Sequence, residues 1–99
     1  MTGNVFLIYC ELAADSLPLQ REGYAGGFVV CFVYATEICQ AIDCGKKALE
    51  SDGYTISDIE KAVRFDAMEW QHEHNYLALA AECLNDRTVV YSNFDVWGH

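Results

Sequence analysis

Positive charge is scarce: the 99 residues include only six lysines and arginines. They are scattered, so no clustered basic footprint for nucleic acid exists. Against fifteen Asp and Glu they leave a net charge of −9, which repels polyanions and anionic membrane surfaces alike. Direct nucleic-acid binding and membrane binding are therefore not expected, whereas a basic protein partner is attracted. Proline occurs once, and there is no low-complexity run or internal repeat, so no long linker is expected. No apolar run is long enough to span a bilayer. The first apolar run is short, ends in Glu11 and has no basic residues before it, so neither a signal peptide nor a transmembrane helix is expected. The cytoplasm is the expected compartment.

Nucleotide motifs are missing too. There is no GxGxxG and no P-loop, and Gly23–Gly27 precedes a strand instead of opening a helix, so it lacks the context that cradles phosphate. No cofactor is expected. The five cysteines, Cys10, Cys31, Cys39, Cys44 and Cys83, form no CxxC and are odd in number. Three sit in apolar runs, where a thiol behaves as a small hydrophobe. That usage fits a reducing compartment and not a disulfide scaffold.

What the chain does have is apolar surface. Hydrophobic residues make up 53 % and aromatics 13 %, which excludes disorder and supports one core, hence a single domain over residues 1–99. Two stretches, Val5–Leu12 and Phe28–Ala35, are apolar at nearly every position. A strand with one wet face alternates apolar and polar residues. These two do not alternate, so each needs cover on both faces.

The remaining pattern predicts a first strand over 4–13, a polar connection broken by Pro18, Gly23, Gly26 and Gly27, and a second strand over 28–35. A first helix starts near Thr36 and ends at Gly53. Its apolar stripe is Ile38, Ala41, Ile42, Gly45, Ala48 and Leu49. A third strand over 54–65 changes phase near Ser57-Asp58, which fits a bulge. Asp66 and Glu69 have capping-box spacing and predict a second helix over 66–85, followed by a fourth strand over 88–97. The order is ββαβαβ. The expected fold class is α+β: a two-layer sandwich, a four-stranded mixed sheet with two helices on one face. The piece from Phe28 to Glu60 is similar to parts of ferredoxin-like and related α/β plaits.

Two helices on one face leave the other face bare. The candidate outward residues include Phe6, Ile8, Val30, Phe32 and Tyr34. Burying one such side chain is worth roughly 1.5–3 kcal/mol, so a bare face of this kind implies association. A twofold homodimer is the simplest solution, and sheets packed face to face resemble a dimeric α+β barrel, whose inter-sheet cavity accepts an organic ligand. Curling of the sheet, or cover by the 15–27 segment and Trp97, is the ordinary alternative.

On the predicted second helix, Glu69, His72 and Glu73 share one face by their i, i+3, i+4 spacing. Glu-x-x-His supplies metal ligands in carboxylate-bridged bundles, although no second such motif is present. The same acids serve equally as partners of the helix dipole. His72 and His74 lie about 200° apart on a helix, and Cys39 and Cys44 about 140°, so neither pair shares an ion. The segment carries Asp66, Glu69, Glu73, Glu82 and Asp86 without a basic residue. With Trp97 as an anchor, it is the candidate partner surface.

No motif names a reaction. The sequence favours a non-catalytic, acidic protein-interaction domain of inhibitor, immunity or adaptor type, acting as a homodimer. The alternative is a small-molecule or metal-binding module, or a small enzyme, built on Glu69, His72 and Glu73.

Overall fold

The computed structural model describes residues 3–98; Met1, Thr2 and His99 lie outside the described residues. Eight elements follow in chain order: β1 (Asn4–Leu12), α1 (Leu17–Glu22), β2 (Tyr24–Ala35), α2 (Ile38–Ser51), β3 (Ile56–Arg64), α3 (His74–Asp86), β4 (Val90–Tyr91) and β5 (Asp95–Gly98). The fold is α+β. The expected ββαβαβ series is present in its long elements, with α1 added and the last strand split in two.

The sheet order is β3-β1-β2-β4, with β5 also paired to β2. All pairings are antiparallel, which corrects the expected mixed sheet. β2 and β3 do run in the same direction, as a strand–helix–strand unit requires, but β1 lies between them and opposes both.

The two-layer expectation is also corrected. Phe6, Ile8, Cys10 and Leu12 of β1 pack with Val29, Cys31, Val33 and Ala35 of β2 against Leu19 of α1 and Ala41 and Leu49 of α2. The alternate residues, Val5, Leu7, Val30 and Phe32, pack against Ala80 and Cys83 of α3. Residues of opposite parity point to opposite sides of a strand, so α2 and α3 sit on opposite faces. The doubly apolar strands get cover on both sides from their own chain.

The five residues expected to form one outward face therefore do not. Phe6 and Ile8 lie under α2, whereas Val30 and Phe32 lie under α3, and all four are buried. Tyr34, half-buried, sits on the α3 side with Arg87 4.5 Å from its ring centroid. The reason is register: Ile8 opposes Cys31, not Val30 or Phe32. The bare sheet that a dimeric α+β barrel pairs is absent, because α3 occupies it.

Local chemistry explains the other shifts. Pro18 falls in the first turn of α1, where its missing N–H costs nothing, and Gly23 ends that helix at φ 77°. Gly26 and Gly27 belong to β2 instead of breaking the chain. A Cβ at Gly26 would lie 2.7 Å from the Trp97 ring, so glycine is what lets that ring lie on the strand. Ser16, fully buried, accepts the Thr55 N–H through its hydroxyl at 2.8 Å and ties the start of α1 to the start of β3.

β3 carries the expected bulge, with a register shift between Glu11 and Leu12 opposite Ser57. A second shift, between Tyr9 and Cys10, leaves Glu60 without a partner in the β1 register. The interruption between β4 and β5 falls at Ser92. Its backbone N–H donates to the Val30 carbonyl at 2.9 Å, and its hydroxyl accepts the Val30 N–H at 2.9 Å. A side chain thus completes the ladder where the strand breaks.

Candidate functional site at the open end of the sheet

The segment before α3 is where sequence and structure part most sharply. Residues 67–72 form turns and not the first two turns of a helix. Asp66 does act as a cap, but for a turn: its carboxylate accepts the Met68 N–H at 2.9 Å, and its carbonyl accepts the Glu69 N–H at 3.0 Å. The helix begins only at His74, and the reason is physical. The core-facing stripe of α3 runs through Tyr76, Leu79, Ala80 and Cys83. A helix extended back would bring Glu69, His72 and Glu73 onto that stripe. Burying unpaired charge is costly, so the chain leaves the helical path and keeps all three exposed.

Their predicted metal site does not form. Among the described residues no group of three or more His, Cys, Asp and Glu side chains is placed to hold an ion. Trp70, from the same segment, turns inward and stacks on Tyr76 with ring centroids 4.6 Å apart.

α3 packs on β1, β2 and β4. At the far end of this face the sheet carries a different set. The register places Asp58, Glu11, Phe28 and Asp95 directly opposite one another across β3, β1, β2 and β5. The adjoining row holds Lys61, Tyr9 and Val30. Trp97 opposes Gly26 on the outer side of Phe28 and is 44 % exposed. Tyr9 and Phe28 are half-buried, with ring centroids 6.2 Å apart. Three aromatic side chains thus reach solvent among three carboxylates.

The electrostatics are uneven. Asp58 and Glu11 are direct cross-strand partners, and like charges in that position destabilise a sheet. Lys61 is the one cation in these rows, and its ammonium sits 4.6 Å from the Tyr9 ring centroid. Burial raises the Tyr9 hydroxyl above its ordinary range, with Tyr76 adding to the shift. Burial likewise raises Tyr76, followed by Asp95 and Glu73. These shifts place Tyr9, Tyr76, Asp95 and Glu73 within one electrostatic neighbourhood. A pocket of about 210 Å³ lies there, between the first turn of α3 and the broken edge strand, lined by Asn75, Tyr76, Phe28, Asn93 and Asp95 among others.

Of the predicted partner residues, Glu73 and Trp97 border this end of the sheet. Asp66 and Glu69 lie in the preceding turns, and Glu82 and Asp86 are exposed on α3. Tyr9, Glu11, Phe28, Asp58 and Asp95 are not recognisable as a set in the sequence. Register alone brings them together, although Glu11 ending an apolar run was a visible signal. Comparison with protein-family models, curated proteins and solved structures finds no match to this chain.

Proposed function

We propose that this protein is a non-catalytic, acidic protein-binding domain that takes a basic segment carrying apolar or aromatic side chains at the open end of its sheet. The observation that carries this reading is the row Asp58, Glu11, Phe28 and Asp95 with Trp97 beside it. Stability alone favours neither two facing carboxylates nor an indole left 44 % exposed. A basic partner neutralises the carboxylates, and its apolar side chains cover Phe28 and Trp97. Aromatic rings also attract cations, and two tyrosines of this face already carry one each, Lys61 on Tyr9 and Arg87 on Tyr34. The net charge of −9 adds long-range steering toward such a partner.

The test is selection of peptides from a displayed random library on the immobilised protein, followed by amide-shift mapping of a selected peptide. Enriched peptides are expected to combine Lys or Arg with aromatic or aliphatic residues and to shift Tyr9, Glu11, Phe28 and Asp95. Trp97→Ala should weaken binding by about 2 kcal/mol or more, as for a central anchor. Glu11→Lys and Asp95→Lys should slow association and flatten its salt dependence. Enrichment of peptides without basic residues, or shifts confined to other surfaces, overturns the proposal.

A further inference from the structure

On the opposite side of the sheet from the carboxylate row, a cleft of about 370 Å³ opens between α1 and β5. Pro18 and Leu19 of α1 line one part of it, and Tyr24 and Val96 of the sheet another. Tyr54 and Phe94 also line it, stacked with centroids 5.1 Å apart and planes 20° from parallel. A relay of contacts holds this pair in place. The Tyr91 hydroxyl donates to Asp52 Oδ2 at 2.8 Å, and the Tyr91 ring meets Phe94 edge-on at 5.7 Å. Phe94 is thus held by two rings, one perpendicular to it and one stacked on it, and Asp52, just past α2, anchors the set. Such support from neighbours is what a preorganised binding wall requires.

We infer that this cleft binds a flat, uncharged, fused two-ring aromatic molecule bearing a hydroxyl or N–H group. Size sets the ring count: an apolar cavity of about 150 Å³ holds one benzene ring, and this space is larger and lies in the usual range for small-molecule sites. Flatness follows from the parallel Tyr54–Phe94 pair, which offers stacking surface. Neutrality follows from the charges. Among the described residues that line it, only Arg21 and Glu22 are ionised, one of each sign, while the net charge of −9 disfavours an anion. A hydroxyl or N–H group can donate to Glu22, and a hydroxyl can also accept from Arg21.

The test is titration of the full chain with 2-naphthol, followed by backbone amide NMR. Saturable shifts are expected at residues 19–24, 54 and 94–96. Phenol and 2-naphthoate should bind more weakly, the first for lack of a second ring and the second for its charge. Val96→Phe, which fills the cleft from a half-buried strand position, should abolish the saturable shifts. Phe94→Leu keeps apolar bulk but loses the stacking ring and should weaken binding about threefold to tenfold. Absence of saturation up to the solubility limit, shifts that map to Tyr9 and Trp97, or binding unchanged in both variants overturns the inference. Because the cleft and the carboxylate row lie on opposite faces, peptide binding is a separate readout and stands or falls independently.

Discussion

β1 and β2 build both faces of the sheet from alternate residues, yet the faces end differently. On the α2 side, burial runs along both strands: Phe6, Ile8, Cys10 and Leu12 are each at most 6 % exposed, and Val29, Cys31, Val33 and Ala35 at most 4 %. On the α3 side it stops at Leu7 and Val30, and Tyr9, Glu11 and Phe28 beyond them are half-buried. One helix and a short second one close the first face. A single helix, shortened by its own polar first turns, leaves the second face open at one end. The contrast sets strands buried to their ends on one face against the half-buried Tyr9, Glu11 and Phe28 on the other, where the proposed partner would bind.

The largest expected effect tests whether α3 is a true layer. Phe32→Ala removes a fully buried ring that meets Tyr76 edge-on at 5.2 Å, and should cost about 3–5 kcal/mol in chemical denaturation. A cost below about 1 kcal/mol, the scale of surface changes, would detach α3 from the sheet and restore the bare face expected from sequence. The same seam should be sensitive to alkali. Burial raises the Cys83 thiol from 9.0 to about 11, and its S–H donates to the Phe32 carbonyl at 3.3 Å. The unfolded chain ionises this thiol first. Its contribution is therefore intact below about pH 9 and is lost as pH rises toward 11. The urea midpoint should fall across that window, and Cys83→Ala should flatten the fall.

A smaller effect is expected where the edge strand breaks. Ser92→Ala leaves the Val30 N–H without its acceptor, at a cost of about 1–3 kcal/mol. On the closed side, Gly45→Ala should stabilise by about 0.5–1 kcal/mol. The added Cβ would lie 3.6 Å from Cys31 and Val33, an ordinary contact. Close approach of α2 therefore does not demand glycine there. Smallest of all, Glu11→Lys should raise stability by about 0.2–1 kcal/mol, because it replaces a repulsive pair with Asp58 by an attractive one. A gain in stability together with a loss of peptide binding would be the mark of a residue kept for recognition. A loss of stability would remove the reason for reading the row as a binding feature.

Much of this contrast was visible in the residues. The phase Phe6, Ile8, Cys10, Leu12 stays apolar to its end, whereas Val5, Leu7, Tyr9, Glu11 turns amphipathic and then charged. The strand cores, the stripe of α2 and the bulge near Ser57 were legible because each follows from local periodicity. The side chosen by α3 was not, because a helical stripe does not say which face of a sheet it will cover. The start of α3 is hidden for a related reason: Glu69, His72 and Glu73 have the spacing of a shared helical face, yet charges on a core-facing arc argue against a helix there. The cleft was out of reach, since Leu19, Tyr54 and Phe94 come from three segments that meet only through the topology.

The discontinuities along both margins of the sheet have a consequence for how this chain behaves in crowded solution. One border jogs twice, at Ser57 and Glu60, and bears Asp58, Lys61 and Arg64; the other is cut by Ser92 after two residues. Neither offers a straight, greasy run of free amides and carbonyls onto which a stranger's backbone might zip, so growth into fibrils is frustrated at both rims. The two rims thus deny a neighbouring chain a continuous template for strand addition.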